Sequence, residues 1–190
     1  MNKNIAFPYY IFTILFFVLG LFNLLFAYLG FACMITPFVL VYRDRKKTWC
    51  QRYCPRAHLF NLLFKGRSLT NRPAPKFMTG DKARLVFLIY FLVNFAVLII
   101  STIMVGIGQV EAINDLRFLM AFRLPFAAPQ ILASPDLPDF VIHMPYRIYS
   151  MMMTTTVIGL LLGWIYKPRT WCTICPVGTI SNMAINQQRS

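Results

Sequence analysis

Long apolar segments restrict the folds open to this chain. Residues 5–42, 85–109 and 148–166 are almost free of charged side chains. About 20 helical residues cross a bilayer core of about 30 Å, so residues 5–42 are long enough for two short spans and each other segment for one. Charged residues make up 13% of the chain, roughly half the ~25% share of a soluble domain. The sequence therefore predicts an all-α integral membrane protein with four transmembrane helices.

A sequence motif occurs twice, each time directly after an apolar segment. The first copy reads Lys-Thr-Trp-Cys-Gln-Arg-Tyr-Cys-Pro over residues 47–55, and the second reads Arg-Thr-Trp-Cys-Thr-Ile-Cys-Pro over residues 169–176. Four of the five cysteines lie in these copies: Cys50, Cys54, Cys172 and Cys175. The order hairpin, motif, hairpin, motif predicts a parallel pseudo-repeat about an axis along the membrane normal. Such an axis brings the two cysteine pairs to the same depth.

The apolar segments and motifs together predict a domain plan. The spans are expected near residues 6–23, 26–42, 85–109 and 148–166, with a turn around Gly20 to Asn23. One membrane domain covers residues 1–190: a first hairpin with its motif over 1–65, a basic loop over 66–84, and a second hairpin with its motif over 85–190, which includes an outer loop over 110–147. Shorter helices are expected from Pro55 through Phe64, from Leu116 to Phe122 and from Pro176 through Ala184, since proline is tolerated at the first helical position.

Charge is distributed unevenly between the segments that flank the spans. Residues 1–5, 43–84 and 167–190 hold 16 Lys and Arg against 2 Asp, whereas residues 110–147 hold 3 Arg against 4 acids. Positive loops face the cytoplasm, so we predict a multi-pass protein of the cytoplasmic membrane with both termini and both motifs inside. Positive cytoplasmic loops also explain the net charge of +13. We therefore expect membrane lipid, and not nucleic acid, as the partner of these cations. The predicted spans hold no Asp, Glu, Lys or Arg, which argues against an ion pathway.

The four cysteines predict a metal centre. Cytoplasmic thiols are kept reduced, which disfavours disulfides and leaves an iron–sulfur cluster or a zinc ion. The proline after each pair favours iron–sulfur, because bacterial ferredoxin runs also end in Cys-Pro. Nearby cations would offset the negative charge of a four-thiolate cluster, and helices that begin at the prolines would direct N–H groups at the sulfurs. A structural zinc site that joins the hairpins remains the alternative, as does a cluster shared between two chains.

Five neighbouring residues are candidates for a supporting role at this centre. They are Trp49, Arg52, His58, Arg169 and Trp171. The tryptophans are expected to anchor at the membrane interface and to shield the centre from water. His58, four residues after Cys54, is a candidate hydrogen-bond donor to a sulfur or a spare ligand, and a surface or headgroup histidine is the more common alternative. Cys33 lies inside an apolar segment and is interpreted as a small buried hydrophobe.

The two motifs resemble those of membrane polyferredoxin-like proteins of the NapH-like and NosR-like type, a family that binds [4Fe–4S] clusters. Thr-Trp-Cys-x3-Cys-Pro and Arg-Thr-Trp-Cys-x2-Cys-Pro-x-Gly-x-Ile carry the resemblance, which covers the motifs and their helices. It implies electron transfer between a membrane quinone or flavin pool and a redox partner, either another subunit or a soluble electron carrier. The second spacer is shorter than the family's, and the first copy lacks the glycine after proline.

The chain departs from that family in having no further ferredoxin-type cysteine run, so we expect a single cluster. Electrons must then pass to other proteins, and we expect a subunit of a redox complex rather than a free-standing enzyme. Residues 110–147 are a candidate lining of a quinone pocket, and a simple connecting loop or a subunit contact is the more common alternative for such a segment. Two other classes stay open: a non-redox membrane scaffold or assembly factor with a structural zinc site of four cysteines, and a basic adaptor that binds anionic lipid or nucleic acid through residues 43–84.

Overall fold

A computed structural model describes residues 8–70, 72–112, 115–119, 122–123 and 138–187. The chain is mostly helical. Its α-helices are α1 (Tyr10–Phe22), α2 (Leu29–Asp44), α3 (Pro55–Phe64), α4 (Lys76–Thr79), α5 (Asp81–Gly106), α6 (Asp139–Ile165), α7 (Thr170–Ile174) and α8 (Pro176–Gln187). A 3₁₀ helix (Leu24–Tyr28) precedes α2, and a π-helix (Trp49–Tyr53) precedes α3. Strands β1 (Arg117–Phe118) and β2 (Phe122–Arg123) form an antiparallel ribbon.

Three of the helical segments are long and apolar enough to cross a membrane. They are Leu24–Asp44, Asp81–Gly106 and Asp139–Ile165. The first apolar helix, Tyr10–Phe22, has 13 residues, fewer than the roughly 20 that a perpendicular span needs. The structure thus supports a membrane protein with three candidate spans in the described residues. The four-span arrangement and its pseudo-repeat stay predictions.

The break between α1 and the following helix has a local cause. Helix α1 ends at Phe22, and Asn23 adopts an extended backbone with φ of −148°. The Asn23 side-chain oxygen accepts a hydrogen bond from the Leu25 N–H at 2.9 Å. Asparagine is a preferred N-cap because it satisfies one of the orphan donors of a new helix. The chain therefore reorients within the predicted turn.

Helix α6 begins at Asp139 rather than near Ile148, and this corrects the predicted start of that span. Pro145 lies inside the helix, although an interior proline removes one backbone hydrogen bond and usually ends a helix. The early start also places Arg147 within a candidate span, where it is only 9% exposed. The candidate span Asp139–Ile165 thus contains a charged residue that lies outside the predicted span over 148–166.

A polar face runs along this first half of α6. His143 is fully buried and its Nε2 lies 3.1 Å from the Ser101 hydroxyl of α5. The Ser150 and Thr154 hydroxyls accept hydrogen bonds from the backbone N–H groups of Arg117 and Leu119, each at 3.1 Å. Those bonds stabilise the ribbon, so the short helix predicted over Leu116 to Phe122 is wrong in its described part. Tertiary bonds to α6 satisfy donors that a helix would have paired internally.

The chain divides into two compact units. One unit comprises Met1–Leu15, Met34–Phe87 and Ile158–Ser190, and the other comprises Phe16–Cys33 and Leu88–Val157. The core of the second unit is a cluster of Leu24, Ala27, Leu116, Tyr146 and Tyr149. In it the Tyr149 hydroxyl donates to the Phe17 carbonyl at 3.1 Å.

The first unit, which we call the cysteine unit because it contains both motifs, is built around close packing of α3 on α6. Its core cluster is Phe60, Leu162, Trp171 and Ile174. Two glycines one turn apart make room for the α3 rings: a Cβ at Gly159 would lie 2.5 Å from Phe60 Cζ, and one at Gly163 would lie 3.0 Å from Phe64 Cδ2. Only residues without a side chain allow this approach.

The segment after α3 ties it to the end of α6. The Ser68 hydroxyl donates to the Gly163 carbonyl at 3.0 Å, and the Leu69 N–H donates to the Trp164 carbonyl at 2.8 Å. The Thr70 hydroxyl and N–H both bond the Ile165 carbonyl. These bonds satisfy carbonyls that a helix C-terminus leaves without an internal partner.

We predict that Gly159→Ala destabilises the cysteine unit. The added methyl overlaps the Phe60 ring, and overpacking of this kind costs about 1–3 kcal/mol. The thermal midpoint of the detergent-solubilised protein should fall measurably below wild type. Gly106→Ala is the matched control, because its Cβ would meet only Phe140 Cβ, at an ordinary 3.9 Å. Equal midpoints for the two variants would contradict the packing argument.

Candidate metal centre

In each pair the first cysteine lies inside a short helix and the second follows that helix. Cys50 lies inside the π-helix, and Cys54 ends it by donating its N–H to the Trp49 carbonyl at 2.9 Å. Cys172 lies inside α7, and Cys175 follows that helix directly. The second cysteine of each pair has an extended backbone, with ψ of 110° at Cys54 and 127° at Cys175.

The prolines explain this conformation. A residue before proline is pushed out of the helical region by the proline ring, so the turn ends at the cysteine. Pro55 and Pro176 then occupy the first position of α3 and α8, where the missing N–H costs nothing. Each Cys-Pro step therefore places a thiol at the N-terminus of a new helix. The helices expected from Pro55 and Pro176 are confirmed, and the first ends at Phe64 as predicted.

The four thiols share one electrostatic environment. Burial raises the pKa of Cys50 to about 11, and the charges of Cys175 and Cys54 contribute to that rise. Burial likewise raises the pKa of Cys172 to about 12, with added contributions from Cys54, Cys175 and Cys50. Charges act on one another strongly only over short distances in a partly buried site. The cysteine unit thus brings the two sequence-distant pairs within electrostatic reach of each other.

Two features of the unit offset that repulsion. Burial raises the pKa of Cys175, but the N–H groups of Gly178 and Val177, in the first turn of α8, donate to its sulfur and lower the pKa. Cations act in the same direction: Arg56 on Cys175, Arg169 on Cys172 and Lys47 on Cys50. Four thiols with N–H donors and cations match what a negatively charged thiolate cluster requires.

The thiols do not form a compact single-ion site. Among the described residues, no group of three or more His, Cys, Asp or Glu side chains is arranged to hold a metal ion. Four cysteine thiols are the donor type that iron–sulfur clusters use, so the residues fit such a cluster in kind. The assignment of Cys50, Cys54, Cys172 and Cys175 as ligands stays a prediction.

Two of the five candidate supporting residues, Trp171 and His58, make contacts other than the expected ones. Trp171 is 4% exposed and packs edge-on against Phe87, with ring centroids 5.8 Å apart. It is therefore a core residue beside Cys172 rather than an interfacial anchor, whereas Trp49 is half-buried. His58 Nε2 donates to the carbonyl of Arg52 at 2.9 Å. That ring nitrogen holds the spacer of the first pair in place instead of bonding a sulfur.

Arg84 contacts the second motif, although no sequence pattern predicted this role. This residue, on the first turns of α5, donates from Nε to the Thr173 carbonyl at 3.0 Å, and its Nη1 contacts the Asp81 carboxylate at 3.0 Å. Thr173 lies between Cys172 and Cys175, so the bond fixes the spacer of the second pair from a distant part of the chain. In the sequence Arg84 is one cation of a basic loop, and no local pattern distinguishes it from the others.

We predict that Arg84→Gln weakens the second spacer. A lost hydrogen bond of this kind costs roughly 1 kcal/mol, so iron bound to the purified protein should be released faster to a chelator than from wild type. Lys82→Gln is the control, because Lys82 is an exposed cation of the same helical turn. If Arg84→Gln released iron no faster than Lys82→Gln, the bond from Arg84 to Thr173 would have no role in holding the iron.

A second prediction concerns pH. In metal-free protein the pKa of Cys50 is raised from 9.0 to about 11, and only the thiolate reacts with iodoacetamide. Alkylation of Cys50, followed by mass spectrometry, should therefore rise at higher pH in folded than in denatured protein. The unfolded chain loses this proton first, so the stability of the metal-free form should fall as pH rises from 9 to about 11. Coincident folded and denatured profiles would contradict the burial of this thiol.

Comparison with known proteins supports the iron–sulfur interpretation. A family model described as a 4Fe-4S binding domain matches residues 26–73 and 149–186. Each matched segment contains one cysteine pair together with all or part of the helices before and after it. The predicted resemblance to a 4Fe–4S binding family is confirmed at that level. Comparisons with curated proteins and with solved structures gave no match.

Proposed function

We propose that this chain, which matches the 4Fe–4S binding family over both of its cysteine motifs, carries one [4Fe–4S] cluster on Cys50, Cys54, Cys172 and Cys175 and transfers electrons at the cytoplasmic face of a membrane. The observation that carries the proposal is that both cysteine pairs lie in one compact unit, whose core cluster joins Phe60 of α3 to Trp171 and Ile174 of the second motif. These pairs lie in the two separate segments that the family model matches. When bound, such a cluster supplies reversible one-electron transfer.

The protein's own residues prepare this site. Lys47, Arg56 and Arg169 place positive charge near the thiolates, and the first turn of α8 donates N–H groups to Cys175. Trp171 and Ile174 are buried around the second pair, which keeps water from its inner side. Polar donors and low solvent exposure both tune the potential at which a cluster accepts an electron.

The membrane setting supports a role between two redox pools. Three candidate spans and the excess of cations in residues 43–84 and 167–190 favour a protein of the inner membrane with both motifs and both termini in the cytoplasm. One cluster is too few for a complete electron path across a membrane. The proposed protein is therefore a subunit of a redox complex that exchanges electrons with partner subunits, a quinone or flavin pool, or a soluble carrier.

Metal analysis of anaerobically purified protein tests this proposal. We expect brown protein with about four irons and four sulfides per chain and an EPR signal after reduction. Serine in place of any one of the four motif cysteines should remove most of the iron, whereas Cys33→Ser is the control and should retain it. Colourless protein with stoichiometric zinc would instead support the structural scaffold.

A mixing experiment distinguishes a cluster within one chain from one shared between chains. Cys50→Ser and Cys172→Ser chains, expressed together, should both stay free of cluster, because both pairs lie in one unit of one chain. Recovery of iron in the mixture would show that two chains each contribute a pair.

A further inference from the structure

The two cysteine motifs are alike in sequence but unlike in exposure. The π-helix Trp49–Tyr53 is described throughout, and none of its residues is buried. Two residues of its spacer, Gln51 and Arg52, are exposed. In the second motif Trp171 and Ile174 belong to the core cluster, and Thr170 is buried as well. The first motif is therefore less buried than the second, in which only Arg169 and Thr173 are exposed.

Positive charge is concentrated beside this accessible motif. Residues 43–56 contain six Lys and Arg and one acid, Asp44. Asp44 lies 3.8 Å from Arg43, whose side chain is 80% exposed. Four of these cations are exposed, and together with Gln51 we call them the basic surface: Arg43, Arg45, Lys46 and Arg52.

The spacer within the basic surface is preorganised. His58 Nε2 donates to the Arg52 carbonyl at 2.9 Å, and the Tyr9 ring packs against both Tyr53 and His58, with centroids 5.6 and 5.4 Å away. This hydrogen bond and the contacts of the Tyr9 ring thus hold the backbone at Arg52 in place. A surface that is ordered before binding loses less conformational entropy when a partner docks.

We propose that the basic surface is the docking site of a soluble electron carrier whose own contact face is acidic. This inference rests on the proposed function and names the partner class for the same site. Opposite charges steer a carrier to its site and raise association rates by roughly 10- to 1,000-fold at low salt. The docked carrier gains or loses one electron as the cluster loses or gains one, and no bond is made or broken.

An anionic membrane surface is the other acidic partner available to these cations. The preorganised spacer favours a protein carrier, because lipid headgroups are mobile and need no fixed presentation of Arg52. Headgroups that cover Gln51 and Arg52 would also cover the exposed part of the first motif. The experiment below separates the two partners.

The test uses small charged oxidants as probes of the surface. Reduced, cluster-loaded protein in nanodiscs of neutral lipid is mixed with ferricyanide, an anion, or with tris(phenanthroline)cobalt(III), a cation, and the visible absorbance is followed by stopped flow. At low salt Arg52→Glu should slow oxidation by ferricyanide by about threefold or more and accelerate oxidation by the cobalt complex. Arg52→Lys keeps the charge and should react like wild type. Lys82→Glu, an equal change of charge on an exposed residue of α5, should have a clearly smaller effect.

Each outcome decides the proposal. Equal effects of Arg52→Glu and Lys82→Glu, with iron content unchanged, would show that the whole unit attracts anions and that the basic surface is no specific site. Loss of the Arg52 effect in nanodiscs of anionic lipid, at the same ionic strength, would assign the surface to the membrane and overturn the carrier. Wild-type protein that contains no iron would overturn the proposed function and this inference together.

Discussion

The packing of two aromatic rings over two glycines is the contact on which the cysteine unit depends. Phe60 and Phe64 follow the first cysteine pair on α3, whereas Gly159 and Gly163 precede the second pair on α6. Their close approach brings together chain segments about a hundred residues apart. The first motif directly precedes α3 and the second closely follows α6, so this contact places both motifs in the same unit. A metal centre formed by both pairs needs this contact first.

Within that frame the local geometry of each thiol comes from a single proline. Pro55 and Pro176 force the preceding cysteine into an extended conformation and begin a new helix. At Cys175 the new helix, α8, also directs N–H groups toward the sulfur. The four thiols repel one another when ionised, and burial adds to that cost, so the unit supplies cations and N–H donors close by. The same forces that oppose four free thiolates favour binding of positively charged iron.

The predictions are confirmed where the structure depends on interactions between residues close together in the sequence. Helix α3 has the predicted bounds, and the turn near Asn23 lies where it was expected because a cap residue acts on its immediate neighbours. The predictions are wrong where tertiary contacts outweigh the local preferences of residues for a helix or a turn. Pro145 lies within α6 instead of ending a helix, and the residues after Leu116 form a ribbon whose N–H groups bond to Ser150 and Thr154. Neither partner is recognisable from sequence spacing.

The sequence by itself determined the apolar helices, the Cys-Pro geometry and the candidate ligands, since these depend on composition and on steric effects between adjacent residues. Only the tertiary structure decided that the two pairs share one unit, that Arg84 supports the spacer of the second pair, and that Trp171 and Ile174 of the second motif are buried while no residue from Trp49 to Tyr53 is. The physical reason is that burial and long-range hydrogen bonds depend on which helices pack together. Two nearly identical motifs therefore acquire different environments from the helices around them.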